Sequence, residues 1–159
     1  MFKRLSNCHN VEDMRILAKM RLPSAIFHYI DGGADDEVTY RRNTESFEKA
    51  DLIPNVLNDV NKIDMGVEVL GCQLALPIFC SPTALQRLFH HQGERAVAKA
   101  AEKYGTMFGL SSLGTVSLSE IDEINSGPKM FQFYFHKDRG LNNAMLEAAK
   151  AANFDILTL

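Results

Sequence analysis

The chain has 159 residues, of which 46% are hydrophobic and 23% are charged, a composition typical of a globular protein with one sizeable core. Its formal net charge of −3 provides no basic excess that would attract nucleic acid, so we expect no nucleic-acid partner. Cys8, Cys72 and Cys80 lack the spacing of a zinc site or of a disulfide framework, which predicts no metal centre and favours a reducing cytoplasm. The longest apolar run, LALPIFC, is too short to span a bilayer.

The N-terminal part of the chain predicts helices followed by a hairpin. Asn10 or Asp13 is placed to cap a first helix, and Pro23 lies at the first turn of a second helix that stops at a pair of glycines. Residues 39–50 predict a third, polar helix. Short β-like pieces within residues 52–76 predict a hairpin that lies over one end of the main domain.

From residue 77 onward the pattern becomes a repeat of strand, turn and helix. The strand positions Ile78, Met107, Met130 and Ile156 are spaced by 29, 23 and 26 residues. Such near-even spacing predicts a parallel sheet with right-handed crossovers, and both a doubly wound sheet and a (β/α)8 barrel are compatible with it. We therefore divide the chain into two parts. Residues 1–76 are a helical segment with a hairpin that caps the sheet, and residues 77–159 carry about four βα strands.

The last predicted strand reaches Leu159 with no helix after it, which would leave a sheet edge uncovered. A complete (β/α)8 barrel needs roughly 250 residues. We therefore expect this chain to be the N-terminal portion of a longer protein.

Polar residues follow the predicted strands at the ends where parallel folds bind ligands. The residues at these strand ends are Ser81, Pro82, Thr83, Ala84, Ser111, Ser112, Gln132 and Tyr134. The Gln132 amide offers both a donor and an acceptor, which suits the edge of a heterocycle, and the Tyr134 phenol can donate to a substrate oxygen. Taken singly, such residues are usual in turns, but three consecutive strands deliver them to the same end. In the alternating run FQFYF we expect Phe131, Phe133 and Phe135 to pack against helices.

Several common catalytic motifs are missing from the sequence. There is no GxGxxG after a strand and no GxxxxGK[ST], so neither a dinucleotide fingerprint nor a P-loop is predicted. A GxSxG elbow is also absent, which leaves acyl transfer by a serine nucleophile without support.

Four segments in chain order resemble the FMN-dependent L-2-hydroxy acid dehydrogenases and oxidases. The segments are FHYIDGGADDE, SPTALQ, LSSLGTVSLSEI and FQFYFHKDR. This family includes glycolate oxidase, L-lactate dehydrogenase (cytochrome) and mandelate dehydrogenase. The resemblance covers essentially the whole chain and implies the N-terminal half of an α/β protein, a (β/α)8 TIM barrel. It also implies FMN as cofactor and the oxidation of a lactate- or glycolate-like L-2-hydroxy acid to the 2-oxo acid.

The resemblance implies roles for individual residues. Tyr29 matches the tyrosine that hydrogen-bonds the substrate carboxylate, and Tyr134 matches the one that contacts the substrate hydroxyl and helps to stabilise the transition state. Leu113 matches a position in the pocket wall that shapes substrate selection. The residues implied to contact the flavin are Pro82, Thr83, Ala84, Ser111 and Gln132. The flavin-contacting threonine of the fourth strand would fall one position beyond Leu159, so Thr158 is not assigned that role.

The rest of the family's machinery lies in the second half of its barrel. This includes the histidine base, two arginines that bind the substrate carboxylate, a lysine near the flavin and the phosphate-binding segment. We therefore expect the 159-residue chain alone neither to hold FMN tightly nor to turn over. We expect the full-length protein to do both, as a homo-oligomer that passes electrons to oxygen, a quinone or a cytochrome.

The expected location is the cytoplasm, with peripheral attachment to the inner membrane left open. Two other functions also remain open at this point. One is a different FMN barrel enzyme, such as a type 2 isopentenyl-diphosphate isomerase, and the other is a non-catalytic half-barrel that serves as a binding module.

Overall fold

The structure is a computed structural model that describes residues 4–59 and 61–159. The chain divides into two compact units, the first ending at Asn61 and the second running from Lys62 to Leu159. The predicted hairpin lies in the second unit. The predicted division after residue 76 marks where a barrel would begin, which is a different boundary, and it stays a prediction.

The first unit consists of short helices, as the sequence predicts. They are α1 (Val11–Arg21), α2 (Ser24–Asp31) and α3 (Val38–Glu48). The Asn10 side chain caps α1 by accepting a hydrogen bond from the backbone N–H of Asp13 at 2.8 Å, and Pro23 stands at the N-cap of α2. An ion pair between Arg15 and Asp31, with Nη2 2.8 Å from Oδ2, joins α1 to the end of α2.

The second unit begins with the predicted hairpin, which is antiparallel. Its strands are β1 (Val67–Val69) and β2 (Cys72–Leu74). Leu70 and Gly71 form the two-residue turn with φ of +51° and +83°, the positive values that such a turn requires. Leu74 is buried against Met107 and Met130, so the hairpin covers the N-terminal end of one face of the following sheet.

Three parallel strands in the order β3, β4, β5 form the sheet of the second unit. They are β3 (Phe108–Ser111), β4 (Lys129–Gln132) and β5 (Ile156–Thr158). Ser111 pairs with Gln132, which pairs with Thr158, so these three residues form one row at the carboxyl ends of the strands.

Helices alternate with the strands along the chain, as the repeat predicts. They are α4 (Glu94–Tyr104), α5 (Leu118–Ile124) and α6 (Arg139–Ala151). Ser117 caps α5 and Asp138 caps α6 with their side-chain oxygens, and Gly105 ends α4 with a φ of +64°. These local signals explain why the element boundaries of this region could be predicted.

The segment predicted as the first strand, residues 77–81, makes only one bridge to the sheet, between Cys80 and Phe108. Pro77 begins the segment and Pro82 follows it, and proline has no N–H to donate. The segment therefore lies beside β3 in the parallel sense without forming a regular strand.

The face of the sheet that packs on the helices is apolar. In one cluster, Phe108 and Leu110 pack with Ala98, Ala101 and Ile121. In the other, Phe131 and Phe133 pack with Ala149. Phe131 and Phe133 are each 3% exposed, as the alternation predicts. The expectation for Phe135 is wrong, because β4 ends at Gln132 and the Phe135 ring is 63% exposed. It lies edge-on to Phe133 and under the Arg139 guanidinium, 4.9 Å away.

None of the helices in the described parts of the chain has the length and the apolar character needed to cross a bilayer.

Candidate functional site

An open cleft of about 530 Å³ lies at the carboxyl ends of the parallel strands, on the face opposite the helices. Five residues predicted for the site line this cleft: Pro82, Ala84, Ser111, Gln132 and Tyr134. The remaining lining residues are Phe79, Ser81, Met130, Thr158 and Leu159. The in-register row at the strand ends brings these groups together, because residues that pair across parallel strands share a face of the sheet.

Ser111 and Gln132 form the polar centre of the cleft. The Ser111 hydroxyl donates to Gln132 Oε1 at 3.0 Å, and Ser111 Oγ accepts the backbone N–H of Leu113 at 3.1 Å. The bond to Oε1 holds the amide plane of Gln132 in one orientation. Within residues 4–59 and 61–159, no acceptor is found for Gln132 Nε2, so this amide can still donate to a ligand.

Tyr134 stands just beyond the end of β4 at the rim of the cleft. Its side chain is 53% exposed, and its backbone N–H donates to Ser112 Oγ at 3.1 Å. A half-exposed phenol beside an uncharged cleft can exchange hydrogen bonds with a polar ligand without adding charge.

A buried carboxylate that the sequence did not single out lies behind the cleft. Glu94, at the start of α4, has no exposed surface. Its Oε1 accepts the backbone N–H groups of Gln86 at 3.3 Å and of Thr115 at 2.8 Å, and its Oε2 accepts the Thr115 hydroxyl. Burial alone would raise the pKa of Glu94, but these hydrogen bonds outweigh it and hold the pKa below its usual value. Glu94 thereby ties the loop after residue 81 to the loop after β3.

Three predicted residues do not line the cleft. Thr83 lies in a neighbouring concavity with Gln86, and its hydroxyl is 3.4 Å from the carbonyl oxygen of Ser81. Leu113 is half exposed in the turn after β3. Tyr29 belongs to the first unit, where it lies on α2 and is 55% exposed. The roles implied for these three residues stay predictions.

The chemistry of the cleft suits a flat heteroaromatic ring better than a metal or a phosphate. Its lining combines three hydroxyls, an amide and a phenol with apolar walls, and none of its described lining side chains is charged. The described residues contain no cluster of three or more His, Cys, Asp or Glu able to hold a metal. The donors and acceptors at the Ser111–Gln132 pair match the edge of an isoalloxazine ring, so the residues present fit FMN.

Known proteins share this arrangement of sequence and structure. Glycolate oxidase 1 of Oryza sativa subsp. indica is 39% identical over 150 residues, which are 94% of this chain and 41% of that protein. The L-lactate oxidase of Nostoc sp. is 42% identical over 159 residues, covering 98% of this chain and 44% of that protein. A solved structure of a soluble mutant of the membrane-associated (S)-mandelate dehydrogenase from Pseudomonas putida superposes with a TM-score of 0.87 at 33% identity, over 95% of this chain and 43% of that one.

The chain therefore spans less than half the length of the relatives it matches. The sequence model described as FMN-dependent dehydrogenase matches residues 18–159, which confirms the resemblance drawn from the four segments. This chain belongs to the FMN-dependent dehydrogenase family, whose members use FMN as their cofactor.

Proposed function

We propose that this chain is the N-terminal half of a (β/α)8 barrel that binds FMN and oxidises an L-2-hydroxy acid to the 2-oxo acid. The observation that carries the proposal is the convergence of Ser111, Gln132 and Tyr134 on one uncharged cleft at the strand ends. Parallel α/β folds bind their ligands at this end of the strands.

The residues of the cleft divide into those that hold the flavin and one that faces the substrate. Ser111 and Gln132 bind the polar edge of the ring, and the backbone around Pro82 and Ala84 lies along it. FMN held there would supply the redox chemistry, by accepting the two electrons that the substrate loses as its α-C–H and O–H bonds are broken. Tyr134 hydrogen-bonds the substrate hydroxyl, and its neutral phenol adds no repulsion toward the substrate carboxylate.

For Tyr29 the proposal keeps the role that the family resemblance implies, a hydrogen bond to the substrate carboxylate in the full-length protein. No described side chain that lines the cleft is charged, so in this proposal other residues provide the general base, the positive charges for the carboxylate and the contacts to the FMN phosphate. We assign these to the second half of the barrel. The acid is lactate- or glycolate-like, with Leu113 in the pocket wall, because relatives are named for glycolate, lactate and mandelate.

The remaining parts of the proposal concern the full-length protein. It passes its electrons to oxygen, a quinone or a cytochrome and forms a homo-oligomer. It lies in the cytoplasm or attaches peripherally to the inner membrane, an alternative that the membrane-associated mandelate dehydrogenase keeps open.

A fusion protein tests the proposal directly. The chain is joined after Leu159 to the part of the Nostoc L-lactate oxidase that follows its matched segment, and the resulting protein is purified beside the chain alone. We expect the fusion protein to hold one FMN per chain and its visible absorbance to bleach anaerobically with L-lactate, glycolate or L-mandelate, but not with D-lactate. The chain alone should retain almost no flavin.

Other outcomes of this experiment have definite meanings. A folded fusion protein without flavin would overturn the proposal and favour a non-catalytic module. Retained flavin that no hydroxy acid bleaches would favour another FMN barrel enzyme, such as a type 2 isopentenyl-diphosphate isomerase. Stoichiometric flavin and lactate-dependent dye reduction by the chain alone would overturn the claim that this half is inactive.

Two substitutions in the fusion protein separate the roles within the cleft. Gln132→Ala should lower flavin content first, because it removes the amide at the ring edge. Tyr134→Phe should keep the flavin but lower kcat by about 10- to 1,000-fold, because it removes a hydrogen bond to the reacting hydroxyl. Tyr104→Phe, an exposed tyrosine at the end of α4, is the matched control. The reverse pattern would contradict the assignment.

A further inference from the structure

A single hydroxyl links the ends of β3 and β4 beyond their regular pairing. Ser112 Oγ donates to the Gln132 carbonyl oxygen at 2.7 Å and accepts the Tyr134 backbone N–H at 3.1 Å. The Ser112 N–H also donates to the Gln132 carbonyl oxygen, at 2.9 Å. In a continued parallel ladder the Tyr134 N–H would bond to the backbone carbonyl of Ser112. The side chain of Ser112 takes the place of that carbonyl.

This replacement lets β3 turn away while β4 stays in place. The chain after Ser111 enters a tight turn, in which the Gly114 N–H donates to the Ser111 carbonyl oxygen at 2.8 Å. The turn carries the backbone of the loop away from β4, but the Ser112 hydroxyl keeps the bond to Tyr134. The hydroxyl therefore extends the pairing to one residue past the end of β3 and two residues past the end of β4.

The backbone on the other side of β4 is held independently. The Phe133 N–H donates to the Thr158 carbonyl oxygen at 2.8 Å, and the Phe133 ring is buried in the helix-facing core. The Tyr134 side chain, by contrast, is 53% exposed, so little packing restrains its ring. The direction in which the phenol points therefore depends mainly on the backbone at Tyr134, whose N–H has Ser112 as its acceptor.

We infer that Ser112 is a positioning residue that holds the Tyr134 phenol in place over the cleft. Ser112 is absent from the lining of the cleft and instead lines a concavity on the helix side, so it acts on a bound molecule only through the residues that it bonds, Tyr134 and the backbone of Gln132. The inference rests on the proposed function in one respect, namely that Tyr134 contacts the substrate. A displacement of about 1 Å in such a group can lower a rate by about 100-fold.

The first test measures the link in the 159-residue chain itself. Amide hydrogen exchange at Tyr134 is compared by NMR in the unsubstituted chain, Ser112→Ala and Ser112→Thr. We expect Ser112→Ala to accelerate exchange at Tyr134 by about 10-fold, because its N–H loses its acceptor, while Ser112→Thr keeps the hydroxyl and the protection. The Phe133 and Gly114 amides keep their acceptors and serve as internal controls. Unchanged exchange at Tyr134 in Ser112→Ala would overturn the inference.

The second test measures the consequence in the fusion protein with a double-mutant cycle. Ser112→Ala should lower kcat by about 10- to 100-fold with little change in KM or flavin content. The same substitution in a Tyr134→Phe background should have almost no effect, because the phenol it positions is gone. Equal factors in both backgrounds would indicate a general structural role and would overturn the inference. If the fusion protein oxidises no hydroxy acid, the proposed function fails, and the exchange experiment still decides whether Ser112 holds Tyr134.

Discussion

Replacing Glu94 by alanine should destabilise the second unit strongly. The substitution leaves two backbone N–H groups without their acceptor: that of Gln86 is buried, that of Thr115 is partly buried, and neither can rotate toward another acceptor. Each such group costs about 1–3 kcal/mol when it is buried unpaired, which gives about 2–6 kcal/mol for the pair. Part of this loss is offset because the alanine variant no longer buries a charged group. We therefore expect a loss of about 2–4 kcal/mol in the free energy of unfolding.

Glu94→Gln should be much milder. Its amide oxygen can still accept both N–H groups, and its amide nitrogen can donate to Thr115 Oγ1 after the hydroxyl rotates. Only the strengthening that a charged acceptor gives to its hydrogen bonds is lost, which is about 1 kcal/mol. The contrast between the two variants isolates the hydrogen-bonding role of Glu94 from its charge.

The assay combines urea unfolding, followed by far-ultraviolet circular dichroism, with amide exchange at Gln86 and Thr115. Because the chain has two compact units, the exchange data show which of them has lost stability. Glu102→Ala is the matched control, since Glu102 is an exposed carboxylate on the same helix that also accepts a backbone N–H and a hydroxyl, both from Ser126. Water can replace it there, so its loss should be below about 1 kcal/mol. If Glu94→Ala destabilises no more than Glu102→Ala, the reasoning is refuted.

Acid titration provides a second measurement of the same group. The pKa of Glu94 is lowered in the folded chain, mainly by its hydrogen bonds from Thr115 and Gln86 against the opposing effect of burial. Its stabilising contribution is therefore present above the unfolded value of about 4.3 and is lost as the pH falls through the lower folded pKa. Glu94→Gln should flatten the decline in unfolding free energy below about pH 4.3. An unchanged pH dependence in this variant would contradict the lowered pKa.

Two further substitutions test the packing and the shape of the cleft. Phe131→Ala should lower the free energy of unfolding by about 3–5 kcal/mol, because Phe131 is only 3% exposed. Urea unfolding measures this loss beside that of Phe135→Ala, a substitution of an exposed phenylalanine. Similar losses of unfolding free energy in the two variants would contradict the assignment of Phe131 to the core. Gly109→Ala should weaken FMN binding by the fusion protein by about 10-fold or more, because a Cβ there would lie 2.7 Å from Pro82 Cδ and displace the segment that lines the cleft. A fluorescence titration with FMN measures it, and unchanged affinity would argue against a role for that segment.

Most helices and strands of the second unit could be predicted from sequence because their signals are local. Ser117 and Asp138 cap helices through neighbouring backbone groups, and Gly105 ends α4 with a positive φ. The segment before Pro82 is predicted as a strand from its place in the repeat of strand, turn and helix. The segment makes a single bridge to the sheet because its prolines lack an N–H donor and because few neighbouring strands are available for pairing. Residue type does not indicate which neighbours a strand will have.

The candidate site was predictable where alternation along one strand determines direction. Gln132 and Tyr134 could be placed on the cleft face because every second residue of a strand shares a side. The link from Ser112 to Tyr134 and the role of Glu94 could not be found in this way. Both residues bond to residues about 20 positions away, and those pairings depend on strand register, which the sequence does not display. A glutamate in the first turn of a helix also has a sufficient local explanation in the helix dipole.

The hairpin gives the inner face of the sheet two layers that tolerate change differently. In the lower layer, Met107 and Met130 pack against Leu74 of the hairpin, so substitutions there are limited by volume. In the upper layer, substitutions of Ser111 and Gln132 are limited by the hydrogen bond between them and by the ligand that the cleft binds. Substitutions at the strand ends can therefore change which ligand binds, while the packing one layer below maintains the folding stability. The two properties are free to diverge at different rates in the same strands.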